Sequence, residues 1–150
     1  MNKFLYIAYG SNLNIRQMAY RCPFATPVGV SEIKGYELRF RGSQSGNYLT
    51  IEPEPHREVP VAIWAVSGED LKRLDTYEGY PYFYRREYFK VKVKGKYQKA
   101  IVYIMNDGRP YGPPSNSYMA TCLEGYKDFG FDPEYLYEAV RKSKELKEND

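Results

Sequence analysis

The sequence predicts an α+β domain in which a small mixed β-barrel carries flanking helices, and its pattern of elements indicates this class. Short apolar or alternating segments recur along the chain and predict about six strands. Three or four segments with helical spacing and capping residues are mixed with these strands. The chain holds no internal repeat and no linker, so its length suits one domain over residues 1–150.

The first half of the chain predicts most of the strands. Phe4 to Ala8 is apolar without alternation, which is typical of a fully buried strand. Asn14 to Tyr20 predicts a short helix that ends before Pro23, because proline cannot continue the helical hydrogen bonds. A proline-bearing turn is expected from residue 53 to residue 60. The remaining strands of this half are predicted at Val28–Ile33, Tyr36–Phe40, Tyr48–Ile51 and Val59–Val66.

The second half predicts a capped helix, a hairpin and two further helices. Ser67 and Asp70 have the spacing of a capping box, Leu71 and Leu74 supply a buried face, and Gly79 is a plausible stop. The hairpin strands are predicted at Tyr84–Val93 and Tyr97–Met105, a turn-rich loop at 106–114, and the last helices at Ser115–Phe129 and from Asp132 onward.

Composition restricts the compartment and the partners. The formal net charge is +3, which is too small to require a nucleic-acid partner. No apolar stretch has the length of a membrane span, and the first residues lead into a strand instead of a signal peptide. We therefore expect a cytoplasmic protein that binds neither membranes nor nucleic acid. Cys22 and Cys122 are then expected to be reduced thiols.

The segment Tyr9-Gly10-Ser11-Asn12-Leu13 follows the first strand and precedes a helix. A tight turn at such a place can direct several backbone N–H groups toward one point, where a carboxylate or phosphate binds. The spacing of a P-loop is missing. A simple strand-to-helix turn, with Ser11 or Asn12 as the helix cap, is the alternative interpretation.

Glu78 lies at the end of a predicted helix among many aromatic residues. The helix C-terminus disfavours an anion, Asp75 lies one turn earlier, and neighbouring tyrosines can remove water. Each effect raises the pKa of a carboxyl group, and a raised pKa suits a general base near neutral pH. The alternative is a solvated acid with no role.

Other chemistries have little support in the sequence. His56 is the only histidine, and no metal-ligand spacing or nucleophile motif accompanies it. We therefore expect no metal and no cofactor. A reaction that needs only a base, a carboxylate-binding turn and hydrogen-bond donors fits, especially one in which the substrate carries its own nucleophile.

The chain resembles the gamma-glutamylcyclotransferase family, including the AIG2-like proteins. The motifs that carry this resemblance are residues 6–13 (YIAYGSNL), 21–23 (RCP), 35–38 (GYEL), 61–64 (VAIW), 74–79 (LDTYEG) and 113–118 (PPSNSY). The resemblance implies a pocket at one side of the barrel. It implies that Glu78 is the catalytic base and that Tyr84 and Tyr118 line the pocket. The turn residues Tyr9, Gly10, Ser11, Asn12 and Leu13 would bind the substrate.

The activity implied by the resemblance is cyclisation of a γ-glutamyl group to 5-oxoproline with release of an amine. The substrate would be a small molecule, and the protein a monomer or homodimer. The departing amine stays open: a free amino acid, a lysine side chain, glutathione or an antibiotic intermediate would each suit this chemistry. A non-catalytic binding module on the same fold, and a single-stranded nucleic-acid binder using the basic hairpin, are the competing interpretations.

Overall fold

The computed structural model describes residues 3–149, which form five strands and four α-helices. A 3₁₀ turn follows the first strand and joins it to the first helix. The elements in chain order are β1 (Lys3–Ala8), the 3₁₀ turn (Ser11–Leu13), α1 (Ile15–Arg21), β2 (Thr26–Ser43), β3 (Gly46–Ser67), α2 (Gly68–Glu78), β4 (Tyr84–Val93), β5 (Lys96–Met105), α3 (Asn116–Phe129) and α4 (Glu134–Glu148).

The strands form one mixed sheet in the order β2-β3-β1-β5-β4, which confirms the α+β class. The central strand β1 pairs antiparallel with β3 and parallel with β5. The sheet curls until its two edges approach each other, and the rings of Tyr36 on β2 and Phe89 on β4 lie 5.2 Å apart. Because β2 and β4 do not pair within the described residues, the barrel is open and the term describes it only loosely.

The long strands β2 and β3 correct the predicted boundaries. Each contains two segments that the sequence predicts as separate strands, and together they form one antiparallel ladder. The gap between the strands predicted at Val28–Ile33 and Tyr36–Phe40 is a shift of register within β2. The expected turn from 53 to 60 is a bulge in which residues 54–57 lack partners in β2. Proline has no N–H to donate to a neighbouring strand. β3 tolerates its prolines because the irregular stretch, like the ends of the paired segments, needs fewer such donors.

The helix signals around α2 agree with the prediction. The side chain of Ser67 accepts a hydrogen bond from the Asp70 amide at 3.1 Å, and Gly79 closes the helix with φ 65°. Leu71 and Leu74 pack into the core, as their spacing predicts. Among residues 3–149, no helix is both long and apolar enough to cross a membrane. The cap of α2 matters for the site because it fixes where the helix ends and where Glu78 lies.

Candidate active site

A cavity of about 390 Å³ opens beside the end of β1, the end of α2 and the start of α3. It brings together most of the residues that the sequence and the resemblance select: Tyr9, Gly10, Ser11, Asn12, Glu78, Tyr84 and Tyr118. Leu13 is the exception. Its side chain is fully buried in the core, and it does not line the cavity.

The turn after β1 has a defined hydrogen-bond pattern. Leu13 N–H donates to the Gly10 carbonyl, and Asn14 N–H donates to the Ser11 carbonyl, both at 3.0 Å. The Asn12 carbonyl accepts from the indole of Trp64 at 3.1 Å. The Leu13 amide is therefore used within the turn and cannot bind a ligand, so fewer amides of the turn are available than the sequence predicts. Within the described residues, the amides of Ser11 and Asn12 have no hydrogen-bond partner, as the first amides of a helical turn usually do not.

Crowding favours glycine at position 10. Its φ is −130°, so a left-handed backbone does not explain the glycine. A β-carbon at this position would lie 3.2 Å from Leu49 Cδ1 and 3.4 Å from Tyr118 Oη. The turn therefore packs directly against two residues of the cavity wall, and any larger side chain would push into them.

Asn12 links the turn to the acidic residue of the cavity. Its amide nitrogen lies 2.7 Å from Tyr6 Oη and 3.4 Å from Glu78 Oε1, so it can donate to both. Its amide oxygen accepts a hydrogen bond from Arg21. The Arg21 guanidinium also stacks on the Tyr77 ring, with its central carbon 3.5 Å from the ring centroid. These contacts fix both ends of the Asn12 side chain.

Glu78 is the acidic residue of this cavity, and its pKa is strongly shifted. It is half-buried because one side faces the open cavity, while the surrounding protein replaces the rest of its hydration. Loss of that water raises the pKa of Glu78 to about 8, and the positive charge of Arg21 partly opposes the shift. The carboxyl group can therefore accept and return a proton near neutral pH.

Asp75 does not contribute to the raised pKa of Glu78, so the expectation that repulsion from Asp75 raises it is wrong. Arg86 binds both carboxylate oxygens of Asp75, and the Tyr103 hydroxyl lies 2.5 Å from one of them. The Arg86 charge cancels the field of Asp75, and burial alone raises the pKa of Glu78. The sequence could not indicate this pairing, because Arg86 lies on a different element.

Tyr84 and Tyr118 bind the backbone of Leu49 at its carbonyl and at its N–H. The Tyr84 hydroxyl donates to the Leu49 carbonyl at 2.7 Å, whereas Leu49 N–H donates to Tyr118 Oη at 3.1 Å. Burial raises the pKa of both phenols well above the usual range, so both stay protonated. The Tyr84 proton is therefore already engaged, while the Tyr118 proton remains available to a ligand.

The sequence analysis missed the residues that form the outer part of the cavity. These are Ser43 and Ser45 at the β2–β3 hairpin, Tyr48 and Arg109, and they lie beside Phe83, one of the aromatic residues expected near Glu78. Hairpin serines and a loop arginine carry no motif, and only the folded chain brings them to one opening. Tyr6 and Arg21 lie inside the YIAYGSNL and RCP motifs, but the sequence analysis gave them no role in the site. Tyr77 is one of the aromatic residues that were expected to remove water around Glu78.

The assembled site offers a high-pKa carboxyl group, two unpartnered amides and a tyrosine donor around one cavity. Among residues 3–149, no three histidine, cysteine or acidic side chains are grouped closely enough to hold a metal ion. Such a set can bind an anion, move a proton and donate hydrogen bonds to an oxygen that gains negative charge.

Comparison with known proteins places the chain among similar sequences and structures. Residues 6–120 match the family model described as "Gamma-glutamyl cyclotransferase, AIG2-like". The human gamma-glutamylcyclotransferase is 31% identical over 159 aligned positions, covering 98% of this chain and 80% of that protein. The mouse protein of the same name is 30% identical, covering 88% and 74%. A solved structure named gamma-glutamyl cyclotransferase superposes with a TM-score of 0.80 at 30% identity, covering 97% of this chain and 88% of that one.

Proposed function

The chain belongs to the gamma-glutamyl cyclotransferase, AIG2-like family, and we propose that it cyclises the γ-glutamyl group of a γ-glutamyl amine or amino acid to 5-oxoproline. The observation that carries the proposal is Glu78. It is a carboxyl group with a pKa of about 8 that faces a cavity beside unpartnered amides. The departing product is the amine that was joined to the γ-carbonyl.

Glu78 acts as the general base in this proposal. It takes a proton from the α-ammonium group of the substrate, and the freed nitrogen attacks the γ-carbonyl carbon. The bond to the departing amine breaks as the proton held by Glu78 passes to its nitrogen. The Glu78 carboxylate then takes the second proton from the ring nitrogen, which leaves 5-oxoproline as the neutral lactam, and passes that proton to the released amine. A group whose pKa is near the pH of the medium can both accept and return a proton. The shift of the Glu78 pKa to about 8 therefore supports this role.

The turn at Gly10–Asn12 holds the α-carboxylate of the γ-glutamyl group. The unpartnered amides of Ser11 and Asn12 are suitable donors, and Asn12 places them next to Glu78. Fixing the carboxylate at one end of the flexible chain brings the α-nitrogen toward the γ-carbonyl. Such positioning can contribute a large part of the acceleration of a ring closure.

Tyr118 donates to the oxygen of the γ-carbonyl as negative charge develops on it. Its hydroxyl oxygen already accepts from Leu49 N–H, so its proton is free for this purpose, and its raised pKa keeps it protonated. Tyr84 has a different role. Because its proton is donated to the Leu49 carbonyl, it holds the backbone of Leu49, whose N–H donates to Tyr118.

The direct test is a screen of γ-glutamyl compounds for 5-oxoproline release. The set contains γ-glutamyl-alanine, ε-(γ-glutamyl)-lysine, glutathione and a γ-glutamyl alkylamine, and mass spectrometry measures the product. The Glu78→Gln variant is the negative control. Glu69→Gln is the matched control, because Glu69 is an exposed acid on the same helix, paired only with Lys72. Release from at least one compound by the wild type and by Glu69→Gln, and its loss in Glu78→Gln, is expected. Release from none would overturn the proposal.

A second measurement tests the carboxylate site of the turn. One substrate is compared with its analogue in which the glutamyl α-carboxylate is a neutral amide. Hydrogen bonds to a charged group are worth about 1.5–3 kcal/mol, so kcat/KM should fall roughly tenfold or more. Equal efficiency for the two compounds would mean that the Ser11 and Asn12 amides do not bind this group.

A further inference from the structure

Arg109 is a cation in the wall of the cavity that has no acidic partner among residues 3–149. It lies in the loop between β5 and α3 and lines the same cavity as Glu78. Eight of the chain's ten arginines form salt bridges, and Arg21 hydrogen-bonds to Asn12 and Gln17. Within the described residues, the Arg109 guanidinium has neither an acidic partner nor a hydrogen-bond acceptor. Arg109 therefore differs from the other arginines, each of which binds an acidic or amide side chain.

The Arg109 side chain is nonetheless held in place. Its guanidinium carbon lies 3.9 Å from the centroid of the Phe83 ring. Phe83 is itself anchored to the end of α2, since its N–H donates to the Gly79 carbonyl at 2.8 Å. Stacking occupies the face of the guanidinium group and leaves its N–H edges free to bind a planar anion.

The backbone around Arg109 is also fixed. Arg41 donates to the Arg109 carbonyl at 2.6 Å, and Gly42 N–H donates to the Pro110 carbonyl at 3.1 Å. Arg41 is in turn held by an ion pair with Glu52. An arginine whose main chain and side chain are both positioned loses less freedom when it binds a ligand than one on a mobile loop.

Aromatic rings separate Arg109 from the turn that binds the first carboxylate. The turn contacts Tyr118 at Gly10, and the Tyr118 ring packs against Tyr48 with centroids 5.1 Å apart. Tyr48 packs against Phe83 at 6.0 Å, and Phe83 carries Arg109. The cavity therefore has two separate places for an anion, with the apolar rings between them.

We propose that Arg109 is a specificity residue that selects γ-glutamyl substrates whose departing amine bears a carboxylate. The inference rests on the proposed function, because that reaction places the γ-glutamyl carboxylate at the turn and directs the departing group toward the opening. The guanidinium edge then forms a two-point contact with the carboxylate of the departing amino acid. Substrates that release a simple alkylamine leave Arg109 unpartnered and gain nothing from it.

The test uses γ-glutamyl-alanine and γ-glutamyl-alaninamide, which differ only in the carboxylate of the departing group. Wild type, Arg109→Ala and Arg109→Lys are assayed for kcat/KM, with Arg141→Gln as the matched control. Arg141 lies on α4, pairs with Glu134 at the surface and does not line this cavity. Melting temperatures of all variants check that they fold.

The wild type should prefer the acid to the amide by about tenfold or more, as expected for a charge-assisted, two-point contact. Arg109→Ala should remove this preference by lowering kcat/KM for the acid alone. Arg109→Lys should retain part of it, and Arg141→Gln all of it. An equal effect of Arg109→Ala on both compounds, or no preference in the wild type, would overturn the role of Arg109 while leaving the cyclisation intact.

Binding to the Glu78→Gln variant separates this inference from the proposed reaction. Calorimetry compares the two compounds on Glu78→Gln and on Glu78→Gln/Arg109→Ala, where no turnover is needed. A carboxylate preference that Arg109→Ala removes supports the anion site, even if the wild type releases no 5-oxoproline. Absence of that preference in binding would exclude the anion site independently of the chemistry.

Discussion

Asp75 and Glu78 leave the same helix three residues apart, yet the protein treats the two carboxylates in opposite ways. Asp75 is bound through both oxygens by Arg86 and accepts a hydrogen bond from the Tyr103 hydroxyl. Glu78 faces the cavity, and within the described residues its contact is a long one of 3.4 Å from the Asn12 amide. The charge of the first acid is paired with that of Arg86, whereas burial raises the pKa of the second to about 8.

The difference teaches that a carboxyl group suited to proton transfer is one that the fold buries in part without giving it an ionic partner. Both residues lie near aromatic side chains at the end of α2, so aromatic surroundings alone do not distinguish them. An ion pair keeps a carboxylate ionised and structural, while partial desolvation without a partner leaves a group that exchanges its proton near neutral pH. Four predictions test this contrast, from the largest expected effect to the smallest.

Replacement of Glu78 by Gln should abolish turnover with the fold intact. Glutamine keeps the shape of the side chain and its contact with Asn12, but it cannot accept the proton. General-base catalysis is worth roughly 10²–10⁴-fold, so kcat/KM for 5-oxoproline release should fall by at least that lower bound. In the wild type, kcat/KM should rise with pH and level off above about 8, since the base must be ionised in the free enzyme. A variant that keeps more than about a tenth of the activity would contradict the assignment.

The same substitution should change the dependence of stability on pH. The folded-state pKa of Glu78 is raised from 4.5 to about 8, so the folded protein holds a proton that the unfolded chain releases. Stability from this group is therefore present below about 4.5 and is lost as pH rises toward 8. Glu78→Gln should remove that loss and be more stable than the wild type above pH 8, by more than about 1 kcal/mol. Urea unfolding across this pH range measures it, and parallel profiles for both proteins would show that Glu78 has an ordinary pKa.

Replacement of Asp75 by Asn should lower the stability of the fold while changing the rate of the reaction little. It breaks the ion pair with Arg86 and weakens the bond from Tyr103, so we expect a loss of about 1–2 kcal/mol in the free energy of unfolding. The rate should fall by less than about tenfold, below the range of a lost general base. The rise of kcat/KM near pH 8 should stay, because Asp75 does not set the pKa of Glu78.

A shift of that rise to lower pH in Asp75→Asn would contradict the contrast, since it would mean that the charge of Asp75 does act on Glu78. Arg73→Gln provides the matched control. Arg73 pairs with Asp70 on the same helix, and neither residue lines the cavity.

The sequence could predict the parts of the site that lie within one short segment. The turn from Tyr9 to Asn12 and the helix end at Glu78 each have a local signal, and the structure brings both to the same cavity. Leu13 shows the limit of such a signal, because its position in the motif does not reveal that its amide is used within the turn.

Pairings across distant segments could not be predicted. Arg21 reaches Asn12 from α1, and Arg86 reaches Asp75 from β4. Arg86 stands in an ordinary polar position and Arg21 in the short RCP motif, but only the packing of the elements decides which acid or amide each one meets. The same reason hides Arg109 in a loop that the sequence marks only by its glycines and prolines.

The smallest effect is expected at Cys22 and Cys122, which are buried and shifted in pKa but lie outside the cavity wall. Burial raises the pKa of both thiols to about 12, so neither is a nucleophilic thiolate near neutral pH. Neither cysteine lines the cavity that Glu78 faces, and this separates them from Glu78. Replacing both by Ala should lower stability modestly but leave kcat per folded molecule nearly unchanged. The measurement is turnover normalised to the folded fraction from thermal unfolding. Inactivation of the wild type by a thiol reagent, with protection by substrate and escape of the double variant, would show instead that a cysteine takes part in the reaction.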